Sequence, residues 1–286
     1  MTPGRRDVPA ARSPGTGLAA RALPPVALVA VLLAGWEAWV RARGTPHYVL
    51  PAPSRVARTA VDSAHLLPRH LEATLTETVL GLGLGALMGA GLALLVVAVP
   101  LARRSLGPVL VASQTVPMIV LAPLFLIWFG IGLTPKVVLV ALITFFPVVV
   151  STTAGLDGAD DELVDLVRAL GGRTGTLLRV VRLPAAVPAF FAGLRISSAY
   201  AVAGAVIGEA NGGDRGLGVF INRSKQSFLV DRIFVAVAAV ALLSAALYGL
   251  AGLLGRLAAP WQGASGRPVA VPLTPSVPVV PSEVSP

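Results

Sequence analysis

Few side chains in this chain of 286 residues could carry out bond chemistry. Cysteine is absent, so the chain has no disulfide, no thiol nucleophile and no thiolate metal ligand. The three histidines, His47, His65 and His70, could be read as a metal cluster. His65 and His70 do not share a helix face, however, and no carboxylate pattern accompanies them. We therefore predict solvated histidines, no metal site and no cofactor bound by this chain.

Polar side chains within the apolar stretches are the next candidates for functional residues. The uncharged stretch 105–135 is broken by prolines and by three polar residues, Ser113, Gln114 and Thr115. Irregular backbone at membrane depth is tolerated only where it faces protein or a water-filled cavity. Gln114 is therefore the best candidate for lining a pathway, and an interhelical hydrogen bond without solute contact is the alternative.

A further pair of candidates, Glu209 and Asn211, follows the apolar stretch 185–208 in a predicted aqueous turn. These side chains could orient a polar solute where the stretch ends, or they could belong to an ordinary loop. An enzyme embedded in the membrane would need a constellation of nucleophilic and acid-base groups, whereas all the histidines lie in one aqueous connection. We predict that the chain is not an enzyme.

The longest polar insertion, residues 160–184, lies between two apolar stretches. Asp160 has the residue type and position of a helix N-cap, and Gly171 those of a left-handed C-cap. Charges that favour the helix dipole stand at both helix ends, namely Asp161, Glu162 and Arg168. We predict a short helix, a glycine break, a second short helix and a stop at Leu183-Pro184.

One face of the first of these short helices is apolar. Its residues recur at helical spacing and are Leu163, Leu166, Val167 and Leu170. Asp165 and the terminal charges occupy much of the remaining surface. Such a helix is suited to lie on another surface, and an ordinary amphipathic loop at the membrane interface is the alternative.

The composition is that of a membrane protein. Hydrophobic residues make up 55% of the chain, charged residues 13%, and the mean hydropathy is +0.79, whereas soluble domains contain about 25% charged residues. The net charge of +9 comes from basic residues scattered among short loops. Without a basic stripe or interleaved aromatic residues, contact with lipid headgroups is favoured over contact with nucleic acid.

Apolar stretches long enough to cross a bilayer define the organisation of the chain. The six stretches are residues 23–40, 78–99, 105–135, 137–156, 185–208 and 233–255. We predict a disordered tail at 1–23, a transmembrane domain at 24–259 that contains the loop 157–184, and a second disordered tail at 260–286. An even number of spans places both termini on the same side of the membrane. The basic residues of the loops are too evenly divided to decide which side that is.

Three glycines in the stretch 78–99 form one smooth helix face. Gly81, Gly85 and Gly89 are each four residues apart, and in lipid small residues at this spacing let a second helix approach closely. We predict that they form a packing seam rather than a flexible hinge.

The segment 160–184 resembles the cytoplasmic coupling loop of ABC importer membrane subunits, the EAA motif. That motif has an acid and two alanines, a glycine after three residues and an apolar-x-Leu-Pro ending after nine more. The residues at these places are Asp165, Leu166, Val167, Gly171, Val181, Leu183 and Pro184. The spacing is kept, but Asp replaces the usual Glu and Leu-Val replaces the two alanines. These replacements bear on how closely the helix packs in its partner's groove.

Residues 50–260 resemble, over nearly their whole length, the permease subunits of the nitrate, sulfonate and taurine importers and of the thiamine-precursor importers. The similar stretches are LPAPSRV at 50–56, SQTVPMIVLAPLFLIWFGIG at 113–132, AGLRISSAYAVAGAVIGE at 192–209 and GLG at 216–218. SQTVP, APLF and Glu77 favour the thiamine-precursor branch, whose substrates are aminopyrimidines. A permease for sulfonate, taurine or nitrate is the alternative.

The resemblance implies an all-α membrane protein with six transmembrane helices, the type I ABC importer permease fold and a cytoplasmic coupling helix. It implies a homodimer in the cell membrane with cytoplasmic termini, a separate ATPase that binds ATP and Mg, an extracytoplasmic solute-binding protein, and transport by alternating access. No G-x-x-x-x-G-K-[ST] sequence occurs, so this chain cannot cradle nucleotide phosphates itself. The implied coupling residues are Asp161, Glu162, Asp165, Leu166, Val167, Arg168, Gly171, Leu183 and Pro184.

An ion-coupled secondary transporter is the alternative from another class. Such proteins normally place ionisable groups at mid-membrane, whereas the predicted spans carry only Glu37 and Arg195, and Arg195 can snorkel towards the headgroups. A permease that depends on a separate ATPase is therefore the favoured function.

Overall fold

The computed structural model describes residues 18–113 and 116–261, and every regular element within these ranges is helical. In chain order the helices are α1 (Leu18–Arg43), α2 (Pro53–Asp62), α3 (Leu67–Ala98), α4 (Pro100–Ser113), α5 (Met118–Phe129), α6 (Leu133–Asp157), α7 (Asp161–Ala169), α8 (Thr174–Leu177), α9 (Leu183–Asn211), α10 (Leu217–Gln226) and α11 (Val230–Ala258). A π-helical turn, Leu178–Arg182, joins α8 to α9. The predicted all-α fold is confirmed.

Five helical stretches of the described chain are long and apolar enough to cross a membrane. They are α1, α3, α6, α11 and the continuous helix Thr174–Asn211. The remaining predicted span, 105–135, is not one helix, because α4 ends at Ser113 and α5 begins at Met118. Pro117 stands in extended backbone at the α5 N-cap. Proline lacks an N–H and disfavours helix in the residue before it, which divides the stretch into two shorter helices.

Several helices begin earlier than their apolar stretches predict. α1 begins at Leu18, within the predicted tail 1–23, and α3 begins at Leu67 rather than at residue 78. The early part of α3 carries His70, Thr74 and Glu77, whose side chains are buried. Polar residues can lie inside the helical bundle here because they bind one another and neighbouring backbone groups instead of water.

The bundle has two ends, which we call the α7 end and the far end. α6 ends and α9 begins at the α7 end, where Arg103 of α4 pairs with Asp157 at 2.9 Å. The far end contains the first turns of α3, α6 and α11, the last turn of α9, and the short helices α2 and α10. Arg55 of α2 pairs there with Asp231 of α11 at 2.7 Å.

α6 lies at the centre of the bundle, between α3 and α9. Glycines on both neighbours allow this close contact, namely Gly81, Gly85 and Gly89 on α3 and Gly193 and Gly204 on α9. At Gly89, an added Cβ would lie 2.8 Å from the carbonyl oxygen of Phe145 and 2.9 Å from the Cβ of Val148. α3 and α9 therefore place no side chain of their own between their backbones and α6 at these points.

Both ends of α7 have the local structure that the sequence predicts. The Asp160 carboxylate is the N-cap and accepts a hydrogen bond from the Glu162 N–H at 2.9 Å. Gly171 has a φ of +78°, and its N–H donates to the Arg168 carbonyl at 2.9 Å, while the Gly172 N–H donates to the Val167 carbonyl at 2.8 Å. This pair of bonds is a Schellman C-cap. The predicted N-cap and left-handed C-cap are confirmed.

The predicted stop at Leu183-Pro184 is wrong. α8, the π turn and α9 form one helix of 38 residues from Thr174 to Asn211. Pro184 stands in the first turn of α9, directly after the π turn. Proline has no N–H to donate to the preceding turn, and the π turn, which accommodates one additional residue, lets the helix continue through this position.

We expect Gly85→Leu to destabilise the protein and Gly83→Leu, on the same helix, to leave its stability nearly unchanged. A side chain at position 85 would have to displace Thr144 and the Ala141 carbonyl oxygen, which lies 2.7 Å from the Cβ position. Nothing lies within 4 Å of that position at Gly83. Overpacking typically costs about 1–3 kcal/mol. Thermal unfolding in detergent should show a lower midpoint for Gly85→Leu alone, and equal midpoints for the two variants would contradict a packing role for this contact.

Candidate functional site

The surface of α7 has two apolar parts with different surroundings. Val164 is buried and forms a small core with Ala159, Leu177 and Val181, against which Val167 also packs. The other part is a stripe that we call the α7 stripe, formed by Leu163, Leu166 and Leu170, whose exposed fractions are 50%, 54% and 79%. α7 is therefore held to its own chain by one face and leaves a second apolar face uncovered.

Charged side chains flank the α7 stripe. Asp161, Glu162, Asp165 and Arg168 are all exposed. Asp165 and Arg168 approach each other at 3.4 Å, and both side chains are largely in solvent, so this pair adds little to stability. An exposed apolar stripe with a charged border is the pattern of a contact surface for another protein. Leu183 and Pro184, by contrast, are half-buried in the first turn of α9.

A buried carboxylate at the far end, Glu209, connects α9 to α3 and α10. Its side chain is among the largest that are fully buried, with 1% exposure. One carboxylate oxygen accepts a hydrogen bond from Thr74 Oγ1 at 2.6 Å, and the other accepts one from the Gly218 N–H at 2.7 Å. The prediction that Glu209 lies in an aqueous turn is wrong, because the first turn of α10 folds over it.

Three consecutive N–H groups at the start of α10, those of its N-cap Gly216 and of Leu217 and Gly218, meet side chains of other helices. Besides the Gly218 bond to Glu209, the Leu217 N–H donates to Thr74 Oγ1 at 2.9 Å. His70 Nδ1 lies 3.1 Å from the Gly216 nitrogen and 2.8 Å from its carbonyl oxygen, so the tautomer decides which of the two it binds. The start of a helix leaves such N–H groups without partners inside the helix. α3 and α9 together supply the cap of α10.

Gly216 is the residue that this cap requires. Its φ is +120°, and an added Cβ would occupy the position of the Glu209 carboxylate. At Gly218 an added Cβ would collide with the Val206 carbonyl oxygen. The GLG sequence at 216–218 therefore serves two purposes, a left-handed backbone and a close approach of α10 to α9.

Beside this cap lies a buried ion pair between α3 and α6. Lys136 Nζ donates to Glu77 Oε1 at 2.6 Å, and the two side chains are 6% and 5% exposed. Glu77 stands three residues after Thr74 on α3, and the Lys136 side chain packs against Gly208, the neighbour of Glu209 on α9. Removing one member of such a pair would leave an uncompensated charge inside the protein. The four polar residues Thr74, Glu77, Lys136 and Glu209 thus form one network, which we call the far-end network.

A cleft of about 390 Å³ lies next to the far-end network. Its walls are the start of α3, the turn between α5 and α6, and the loop between α9 and α10, and Glu77 and Lys136 are among its lining residues. Asp214 and Arg215 carry opposite charges at the rim. The pKa of Asp214 lies below its ordinary value because its own backbone N–H donates to the carboxylate and Arg215 is adjacent, so this rim group is ionised at neutral pH.

The remaining candidate residues are distributed over the molecule. Gln114 and Thr115 lie outside the described residues, and Ser113 is the last residue of α4. Asn211 is exposed and donates to the Ile207 carbonyl of its own helix at 2.7 Å. His47 and His65 are exposed as predicted, but His70 is buried. Within the described residues no group of His, Cys, Asp and Glu could hold a metal ion.

Sequence reasoning missed most of the far-end network. Lys136, which falls between the predicted spans 105–135 and 137–156, is buried in the first turn of α6. One sequence signal could have identified the network: Glu77, Lys136 and Glu209 are single charges next to apolar stretches, close enough to their ends to be drawn inside. Single charges of both signs at such positions favour mutual pairing.

Comparison with known proteins agrees with this architecture. Residues 81–261 match the family described as binding-protein-dependent transport system inner membrane component. The riboflavin transport system permease protein RibX of Chloroflexus aurantiacus is 39% identical over 240 residues, which cover 83% of this chain and 89% of that protein. The formylaminopyrimidine transport permease protein ThiX of Halalkalibacterium halodurans is 35% identical over 243 residues, which cover 85% and 97%.

The fold also matches that of a solved structure. An inward-facing structure of the MetNI methionine ABC transporter aligns with a TM-score of 0.61, covering 69% of this chain and 98% of that chain. The sequence identity is 19%, so this likeness establishes the arrangement of the helices and no more.

We expect Glu209→Ala to detach α10 from the bundle. The variant leaves the Gly218 N–H and Thr74 hydroxyl without their acceptor, a loss of about 1–3 kcal/mol for each buried polar group. Because the chain contains no cysteine, single cysteines can report on α10 through the rate of maleimide labelling. Val219→Cys, at a buried position, should label faster when combined with Glu209→Ala. Lys225→Cys, at an exposed position, should label at the same rate in both backgrounds. Unchanged protection of residue 219 would contradict the capping role.

Proposed function

The chain belongs to the family of binding-protein-dependent transport system inner membrane components and is a permease subunit of an ABC importer, and from this premise we propose that α7 is the helix on which a separate ATPase acts. The observation that carries this proposal is the α7 stripe. Leu163, Leu166 and Leu170 are exposed together on a helix whose two ends are both capped by its own chain. An apolar stripe on a helix of fixed length is suited to a groove on a partner.

The proposed membrane orientation follows from this assignment. The α7 end faces the cytoplasm, where the ATPase binds ATP and Mg, and both termini lie on that side. The far end, with its cleft and α10, faces the outside, where a solute-binding protein delivers the solute. Two copies of this chain form the pathway. The loops between the helices of the far end are short, so the binding protein contacts mainly α2, α10 and the cleft rim.

The helix that follows α7 supports a mechanism of rigid levers. Val164 packs on Leu177 and Val181, which belong to the helix that continues to Asn211. Glu209, near the end of that helix, holds α10 through its first turn. A displacement of α7 by the ATPase would therefore move α8 and α9 and, at the opposite end, α10. Alternating access in this proposal is the rocking of that helix against α6 along the glycine contacts.

For the substrate we propose a nitrogen heterocycle, with a thiamine-precursor pyrimidine as the first candidate. Support comes from the relatives, because those named for transport of riboflavin and of formylaminopyrimidine are 39% and 35% identical to this chain. Both compounds contain planar nitrogen-containing rings. A sulfonate, taurine or nitrate permease is the alternative, and uptake competition in vesicles separates the two classes: aminopyrimidines or flavins should compete with the substrate, and alkylsulfonates should not.

We expect Leu166→Asp to weaken binding of the ATPase. The change places a charge in the middle of the α7 stripe and leaves Val164 and both caps of α7 in place. Val61→Asp is the matched control, because Val61 is 75% exposed on α2 at the opposite end of the bundle. The measurement is the amount of ATPase that co-purifies with each variant from membranes. Equal recovery with Leu166→Asp and Val61→Asp would show that the ATPase does not bind this stripe.

We expect Gly171→Val to separate ATP hydrolysis from uptake. A β-branched residue at a φ of +78° is strained by about 1–3 kcal/mol, and relief of the strain changes the angle at which the chain leaves α7. Gly175→Val is the control, since Gly175 has open space around it and no left-handed backbone. Both variants should insert at parental levels.

The assay for Gly171→Val uses vesicles that contain the ATPase and the binding protein. Uptake per ATP hydrolysed should fall for Gly171→Val and stay at the parental value for Gly175→Val. If uptake and substrate-stimulated hydrolysis both remain parental in Gly171→Val, the C-cap of α7 has no part in transmitting force.

A further inference from the structure

One cation in the membrane-spanning part of the chain has no anionic partner among the described residues. Arg195 interrupts the apolar stretch of α9, and its guanidinium carbon lies 4.4 Å from the centre of the Tyr248 ring on α11. Its Nε is buried and forms no hydrogen bond. The absence of a side chain at Gly252 makes room for it, since an added Cβ there would lie 3.0 Å from Nε.

An unpaired charge in a membrane span is costly, and the contact with Tyr248 compensates only part of this cost. The cation–π contact uses none of the guanidinium N–H groups, so the two terminal NH₂ groups can still bind oxygen, while Nε is enclosed by the protein. The geometry of Arg195 therefore requires an anion that is not among its described neighbours.

Carboxylates of a second copy of this chain are poor candidates for that anion. The five spans contain six of them, Glu37, Glu72, Glu77, Asp157, Glu209 and Asp231. All but Asp157 lie towards the far end, and Asp157 is paired with Arg103. Arg195 contacts α11 in the other half of the bundle, near the α7 end. The other described carboxylates at the α7 end, Asp160, Asp161, Glu162 and Asp165, stand in or beside α7, outside the five spans. The missing anion is therefore sought outside the protein.

The depth of the Arg195 guanidinium matches that of a phospholipid headgroup. It lies beside Gly252, and α11 continues from there for six residues to Ala258, about 9 Å along the helix. Arg256 is exposed one turn below, and Trp261 is half-exposed just beyond the helix end. Arginine and tryptophan at the end of a span mark the membrane interface. Helical side chains lean towards the helix N-terminus, which for Arg195 is the direction of this interface.

We propose that Arg195, with Tyr248 and Arg256, forms a binding site for the phosphate of an anionic phospholipid in the leaflet on the α7 side. Gly252 provides the space for the guanidinium, Tyr248 holds it in place, and Arg256 adds a second cation nearer the interface. The site is independent of the role of α7 and of the transported solute. It ties α9 and α11 to the surrounding lipid through a charge that the protein leaves unpaired.

Thermal unfolding of the purified protein in detergent tests the site. Phosphatidylglycerol should raise the midpoint of the parent by about 3 °C or more through preferential binding to the folded state. Arg195→Met, which keeps the volume and removes the charge, should abolish this rise. Arg58→Met is the control, because Arg58 is an exposed arginine on α2 at the far end, and it should respond to the lipid as the parent does.

Two further arms identify the ligand. Inorganic phosphate should not reproduce the stabilisation, and phosphatidylcholine should give less than phosphatidylglycerol. Native mass spectrometry should show one phosphatidylglycerol fewer per subunit in Arg195→Met than in Arg58→Met. An equal response of Arg195→Met and the parent to phosphatidylglycerol would overturn the proposal, and so would full stabilisation by inorganic phosphate, which would indicate a site for a free anion. No response of the parent to the lipid would overturn it as well.

Discussion

The hydrogen bonds of Glu209 are the interaction on which the far end depends. A carboxylate buried to this degree is stable only if its oxygens are occupied, and here one oxygen takes the Thr74 hydroxyl and the other the first turn of α10. These bonds join α9 and the adjacent α10 to α3, which is distant in sequence. The Glu77 and Lys136 pair adds α6 to the same network, so the far end is held by polar contacts, whereas the middle of the bundle is held by close packing of small residues.

These two kinds of contact differ in how easily they let neighbouring helices slide past each other. The glycine faces between α3, α6 and α9 are smooth along the helix axes, and such surfaces resist separation more strongly than sliding. The hydrogen bonds at the far end are directional and break when the helices slide. A transporter needs both properties, since its helices must move relative to one another without leaving the bundle. In the proposed mechanism, the bond between Glu209 and the first turn of α10 transmits a movement of α9 to α10.

Local features of the site could be predicted from the sequence, and long-range ones could not. The caps of α7 depend on Asp160 and Gly171 and on backbone within a few residues of them, so residue type and spacing were sufficient. The glycines of α3 were identified by their spacing, although the sequence did not name α6 as their neighbour. The burial of Glu209 depends on Thr74, 135 residues away, and Lys136 is buried because Glu77, 59 residues away, is placed beside it. Pro184 misled because a proline often ends a helix, whereas the π turn directly before it lets this helix continue.

The π turn at Leu178–Arg182 makes the number of residues between Gly171 and Pro184 important, because it makes most of that stretch part of a continuous helix. In a flexible connection, one residue more or less would alter only its length. In a continuous helix each residue also turns the following segment by about 100°, so the residue count sets the rotational phase between the part that packs on α7 and the part that packs on α6. Val181 faces the α7 core, whereas Ala186, one turn further on, faces α3 and α6. A deletion of one residue in this stretch would leave it helical, but it would rotate every later side chain of α9 by about 100°, away from its present neighbour.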